Sequence, residues 1–246
     1  MEIYLTGGAV RDAHIYGNFT SHKDWDFVII APSFEDMVAQ FEASGGKVYK
    51  LQPEFGRLRG FWKGYNGDFM VGRIDGFYPD GRHPETIQIA ESIELDLQRR
   101  DLAFNAMAVP VDPETGVIYW NEVIDLFGGL DDIRNKVIRP VGNIIHRVTE
   151  DALRLMRWYR FQAQLPGFTP DLMTVGMIES EAEMLGHALS KISSDRRRGE
   201  LYLMFQADSI RSIHILSRIH IAILNAMFSG GIKLSPTNRI LKEKLQ

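Results

Sequence analysis

The hydrophobic pattern of the chain changes period near residue 130, and that change limits the fold more than any other feature. Up to there, short β-branched and aromatic runs alternate with short amphipathic ones. EIYLTG (2–7) reads as a strand and GAVRDAHIYG (8–17) as a helix ending at Gly17. DFVIIA (26–31) is a second strand, and SFEDMVAQFEASG (33–45) a helix with Ser33 as its N-cap. KVYKL, GRLRGFW, GDFMVGRI and ETIQIA follow as strands, and DLQRRDLAFNAMA (96–108) as one helix with strands near 108–112 and 117–119. From LDDIRN onward, four longer segments carry apolar residues at helical spacing. The pattern predicts an α+β domain of mixed sheet and helices at 1–130, an all-helical part at 131–230 and a short basic tail at 231–246.

Composition removes several kinds of chemistry. With no cysteine, disulfides, zinc–thiolate sites and thiol catalysis are excluded. No apolar run approaches the roughly 20 residues that span a bilayer, and MEIYLTGG lacks a secretory pattern. The expectation is a cytoplasmic protein without membrane contact. Charge is divided unevenly: residues 1–132 hold 11 Lys and Arg against 22 Asp and Glu, and residues 133–246 hold 17 against 10. An acidic first half suits metal chemistry and a basic second half suits a polyanionic partner, although solvated helix faces also carry such excesses.

SHKDWDFVII (21–30) sets Asp24 and Asp26 at the mouth of a strand, where residues two apart share a face. Two adjacent anions repel unless water or a cation lies between them. A solvated strand entry is one reading and a metal site the other. TGGAVRD (6–12) weights the second. Gly7 and Gly8 allow close backbone approach, the helix that follows offers free N–H groups to an anion, and Arg11 lies one turn in. A phosphate cradle beside twin carboxylates is the layout of two-metal nucleotidyl transfer, with two Mg²⁺ ions held by Asp24 and Asp26.

GGAVRD, DWD, RRDLAFNAMA (99–108), DLFGGLDDIRNKVIRPVG (125–142) and EDALRLMRWYRF (150–161) stand in the order and spacing of a known family. The chain resembles the class II tRNA nucleotidyltransferases and bacterial poly(A) polymerases from residue 3 to about 230. That resemblance implies a polymerase-β-like nucleotidyltransferase head followed by a helical neck and body. It implies transfer of CMP and AMP from CTP and ATP to the 3′ end of tRNA, with Mg²⁺ as cofactor. Related enzymes add CCA, part of it, or long A tails, so a poly(A) polymerase or a partial adder is the alternative. A non-catalytic RNA- or nucleotide-binding module is a further one. The resemblance gives Gly7, Gly8, Arg11 and Arg100 to the triphosphate, and Asp101 and Asn105 to the ribose and its 2′-OH. On the helix expected there, Asp101 and Asn105 share a face.

EDALRLMRWYRF reads as one helix with Asp151, Arg154, Arg157 and Arg160 along a ribbon. A carboxylate accepts hydrogen bonds and a guanidinium donates them. Asp151 with Arg154 therefore matches an amino group beside an unprotonated ring nitrogen, which cytosine and adenine offer and uracil and guanine do not. Leaving such groups unpaired costs about 1–3 kcal/mol each, enough for roughly a hundredfold bias. A plain i,i+3 salt bridge is the commoner fate of such a pair, but apolar neighbours from Leu153 to Phe161 point to an enclosed helix. Arg157 and Arg160 support base or phosphate in this reading. Arg196, Arg197 and Arg198 in SSDRRRGE begin another helix and read equally as an RNA grip or a solvated charge run. The Gly/Pro/Asp-rich stretch 75–85 reads as a mobile loop, matching the loop the family uses in switching from C to A. Phe55, Phe61, Trp62 and Tyr65 read as strand packing.

Overall fold

The computed structural model describes residues 1–20, 25–74 and 88–234. Asp24 and the stretch 75–85 lie outside the described residues, as does most of the tail. The first part contains β1 (Glu2–Thr6), α1 (Gly8–Tyr16), β2 (Trp25–Ile30), α2 (Phe34–Ala43), β3 (Lys47–Gln52), β4 (Arg57–Trp62), β5 (Tyr65–Val71), β6 (Arg73–Ile74), β7 (Gln88–Ile89), α3 (Ile93–Gln98), β8 (Met107–Val111) and β9 (Ile124–Asp125). Seven of these strands form one sheet in the order β3-β4-β5-β2-β1-β8-β9. β2 and β5 are parallel and the other neighbours antiparallel, so the sheet is mixed.

Side chains alternate across this sheet and give each face a different task. Phe27, Leu58, Trp62 and Phe69 are fully buried on one face beneath Met37 and Phe41 of α2. Phe27 stacks on Phe69 at 4.9 Å, and Trp62 and Tyr65 meet Phe27 edge-on. Trp62 and Tyr65 are therefore strand packing, as their spacing predicts, whereas Phe61 points outward and is exposed. The opposite face carries Val28 and Ala108 against Ile93 and Leu97 of α3. Asp26 precedes Val28 by two residues and shares this second face. Ser33 caps α2 as expected, accepting from the Asp36 N–H, and Gly17 ends α1 with φ 67°.

The helical part runs through α4 (Gly129–Asn135), β10 (Val137–Ile138), α5 (Ile144–Glu150), α6 (Leu153–Gln164), β11 (Thr169–Pro170), α7 (Leu172–Ser180), α8 (Ala182–Ser190), α9 (Ser194–Ala207), α10 (Ser209–Leu216) and α11 (Ile221–Phe228). β10 and β11 form a two-stranded parallel pair. No helix of the described residues is long and apolar enough to cross a membrane. α6 lies at the centre, with Leu155, Met156, Trp158 and Phe161 buried among α5, α9 and α10. Its core also takes in Leu102 and Phe104 from the sheet-bearing part, and Phe104 meets Phe161 and Phe168 edge-on.

Four expectations need correction. DLQRRDLAFNAMA is not one helix: α3 stops at Gln98, a single 3₁₀ turn spans Ala103–Asn105, and β8 begins at Met107. The Asp101 side chain accepts from the Leu102 N–H at 2.8 Å, and residues 101–103 instead pair with 139–141. A short side-chain acceptor thus competes with the helical ladder and tertiary pairing decides the outcome. EDALRLMRWYRF also breaks, because Asp151 is extended (φ −142°, ψ 105°) and its carboxylate accepts from the Leu153 N–H at the start of α6. Asp151 and Arg154 therefore do not share a helix face. Residues 117–119 form no strand beyond one bridge, Val111 to Ile118. The two later helical segments each divide, into α7 with α8 and α10 with α11.

Gly129 joins the two parts. A Cβ there would stand 2.5 Å from the Ala103 carbonyl oxygen and 2.9 Å from Phe104 Cα, both backbone atoms that cannot turn aside. Gly129→Ala is expected to lower stability by about 1–3 kcal/mol. Urea denaturation should show a reduced midpoint at unchanged slope.

Candidate active site

The glycine turn between β1 and α1 opens toward the second face of the sheet. Gly7 has φ 70°, a left-handed conformation that favours glycine. A Cβ on it would lie 3.7 Å from Asp26 Oδ2 and 3.6 Å from Arg100 Nη1, so the residue leaves open the gap between an anion and a cation. Thr6 and Asp26 are partners in the β1–β2 register. Thr6 Oγ1 donates to the Asp26 carbonyl (3.3 Å) and accepts from Arg100 (3.1 Å). Asp68 is the residue beside Asp26 on β5 and ion-pairs with Arg57 and Arg59 at 3.3 and 3.4 Å. Among the described residues no cluster of three or more acidic or imidazole side chains could hold a metal ion.

Asp96 anchors the cationic side of this turn. It is fully buried within α3, 2.8 Å from both Arg99 and Arg100, and accepts from the Arg73 N–H at 3.2 Å. Burial alone would raise its pKa, but Arg99 and Arg100 outweigh it and hold the carboxyl at about 2. The i, i+3, i+4 spacing of Asp96, Arg99 and Arg100 carries that signal in the sequence.

Beyond Arg100 lies a cavity of about 330 Å³ between the sheet and the helices. Asp101, Asn105, Asp151, Arg154, Arg157 and Arg196 line it together with Arg100. The 3₁₀ turn, not a helix face, brings Asp101 and Asn105 together. Asn105 donates to Asp101 Oδ1 (3.2 Å), and its own Oδ1 accepts from Arg11 (2.8 Å). Burial would raise the Asp101 pKa, yet Arg157, the Asn105 amide and the Leu102 N–H bring it below the usual carboxylate value.

Asp151 and Arg154, the pair expected to read the base, both line this cavity but hold different partners. The Asp151 carboxylate contacts Arg196 (3.4 Å) and Arg157 (3.8 Å). Arg154, nearly fully buried, donates to the Arg99 carbonyl at 2.8 Å and pairs with Glu150. Arg160 lies apart from the cavity wall, paired with Glu200 at 2.7 Å and bonded to Gln164 at 3.0 Å. Of the arginine triplet only Arg196 enters the site. Arg197 is buried against carbonyls at the end of α11, and Arg198 pairs with Asp195 on the surface. A larger cavity of about 500 Å³ lies behind α6, walled by Trp158, Tyr159, Phe168 and Ile215. It is mostly apolar and holds none of the predicted site residues.

The model of the poly(A) polymerase head domain matches residues 3–139, more than half of the chain. The chain belongs to the poly(A) polymerase head-domain family. Relatives of this family member include the CCA-adding enzyme of Bacillus subtilis (strain 168), 35% identical over 211 residues that make up 85% of this chain and 48% of that one. Among solved structures, the Bacillus stearothermophilus CCA-adding enzyme in complex with CTP matches with TM-score 0.69 and 30% identity, covering 93% of this chain and 50% of that chain. A tRNA nucleotidyltransferase complexed with a primer tRNA and an incoming ATP analogue matches with TM-score 0.70 and 26% identity, covering 98% and 63%. The head is the mixed sheet with helices that the motifs predict. The chain spans about half the length of the curated relatives it matches.

Asp96 gives this site a pH signature. Its folded pKa of about 2 lies below the unfolded value, so its contribution is present above about pH 4 and is lost as pH falls toward 2. That contribution should be on the order of 2 kcal/mol. Urea melts from pH 5 to 2 should show Asp96→Asn less stable than wild type at pH 5 and the gap closing toward pH 2.

Proposed function

We propose that the chain transfers CMP and AMP from CTP and ATP to the 3′ end of tRNA, building CCA and releasing pyrophosphate. Residues 1–130 serve as the catalytic head and 131–230 as neck and body. The observation that carries this reading is one cavity. Asp101, Asn105, Asp151, Arg154 and Arg100 line it together, and Arg100 stands across the Gly7 gap from Asp26, which supports ribose, base and phosphate roles for them. Relatives that act on CCA ends, one of them with CTP bound, support the same reading.

In this mechanism the N–H groups at the start of α1 and the guanidinium of Arg100 receive the triphosphate, with Gly7 and Gly8 keeping the approach clear. Arg11 steadies Asn105, which with Asp101 takes the ribose hydroxyls. Asp151 accepts from the exocyclic amino group of C or A, and Arg154 donates to the ring nitrogen. Uracil and guanine present the opposite polarity and are refused. Carboxylate oxygens of the D-x-D strand are hard donors of the kind Mg²⁺ takes, and Asp26 opens onto the uncrowded gap at Gly7. Asp24 and Asp26 would hold two Mg²⁺ ions, whose chemistry is to activate the 3′-hydroxyl and stabilise the departing pyrophosphate.

The test offers tRNA transcripts ending before CCA, after C and after CC, with each labelled nucleotide singly and in mixture. Growth that stops at CCA, with UTP and GTP refused, is the expected result. Growth by A alone or without limit would replace it with a partial adder or poly(A) polymerase. No extension at all would leave a nucleotide-binding module. Asp26→Ala should lower the rate by at least about a thousandfold, since metal-assisted charge stabilisation supplies several kcal/mol.

A further inference from the structure

The support of base or phosphate expected from the sequence does not explain the position of Arg157. Arg157 leaves α6 toward three carboxylates on three separate segments. Asp101 Oδ2 lies 3.7 Å away on the turn after α3, Asp151 Oδ2 3.8 Å away in the break before α6, and Glu200 Oε1 3.5 Å away on α9. Glu200 is buried and holds Arg160 with its other oxygen at 2.7 Å. One guanidinium is thus shared by the acid assigned to the ribose and the acid assigned to the base, and a third acid fixes it from behind.

We propose that Arg157, held by Glu200, is a positioning residue that couples sugar selection to base selection, so that the site reads the two features as one. The inference rests on the nucleotide reading above and deepens it. Its physical basis is the planar fork of arginine, whose N–H groups have fixed directions. Turning the guanidinium to follow Asp101 changes what it offers Asp151. Both acids are largely withdrawn from water, where a displaced partner is felt strongly. The alternative, that Arg157 and Glu200 merely tie α6 to α9, predicts a looser site that weakens every nucleotide alike.

Calorimetric titration of the full chain with CTP, dCTP and UTP in Mg²⁺, without RNA, separates these cases. Two ratios are read: affinity for CTP over dCTP, and for CTP over UTP. In Arg157→Lys and in Glu200→Gln, both ratios should fall together by roughly tenfold, the scale of coupling between members of one ion-pair network. Asn105→Ala should lower the dCTP ratio alone. If either positioning variant lowers one ratio only, or weakens all three nucleotides while leaving both ratios intact, the coupling is wrong. Glu200→Gln preserves shape and decides the matter should Arg157→Lys fail to fold by thermal melt. A wild-type chain that binds all three nucleotides equally, or none, would overturn the proposed function and the coupling with it. Wild-type discrimination without coupled loss would overturn the coupling alone.

Discussion

Charge withdrawn from water at the seam between sheet and helices is the constraint on which the rest of this structure depends. Arg99, Arg100, Arg154 and Arg157 lie there with Asp96, Asp101, Asp151 and Glu200, and ionised groups so placed cost several kcal/mol each unless matched. The matching is local and specific. Asp96 takes two guanidiniums, Arg154 takes the Arg99 carbonyl, and Arg157 takes three acids. Asp96 and its arginines are neighbours in the chain, but Arg157 and Arg196 take acids from other segments, so that part of the network exists only when sheet and helices are assembled. A site of this kind is preorganised by the desolvation it had to survive.

Apolar contacts provide the frame that keeps these charges in register. Phe104 sits within the helical core although it belongs to the turn that carries Asp101 and Asn105. Gly129 lets α4 approach that turn's backbone, and Leu102 bridges to Pro140. The turn is held from both sides, which fixes two side chains without any need for a helix beneath them. On the sheet, the stack of Phe27 on Phe69 holds the parallel β2–β5 register that sets Asp26 beside Asp68.

Much of this was legible in the residues. Helix starts and stops that rest on one side chain, such as Ser33 and Gly17, fell where their chemistry puts them. Six strands of the mixed sheet and the run of helices that follows it agree with the apolar period, whereas the short edge strand β9 and the absence of a strand at 117–119 do not. Two polar residues misled the reading in the same way. Asp101 and Asp151 stand in helical spacing, yet each carboxylate takes a nearby backbone N–H and ends the ladder. Periodicity counts apolar positions and is blind to that competition.

By itself, the sequence determined which residues line the cavity and the turn beside it: the glycine turn next to Asp26, and Arg100, Asp101, Asn105, Asp151, Arg154 and Arg157. Local spacing encodes such things because a turn or a strand face is decided within a few residues. Only the tertiary structure decided the partners. Asp151 faces Arg196 and Arg157 while Arg154 turns to Glu150, Arg160 withdraws to Glu200, and Asp68 joins Asp26. These pairings join residues as much as 45 positions apart, as in Arg196 with Asp151. Which acid a buried arginine takes depends on where the packed core leaves it when water has gone.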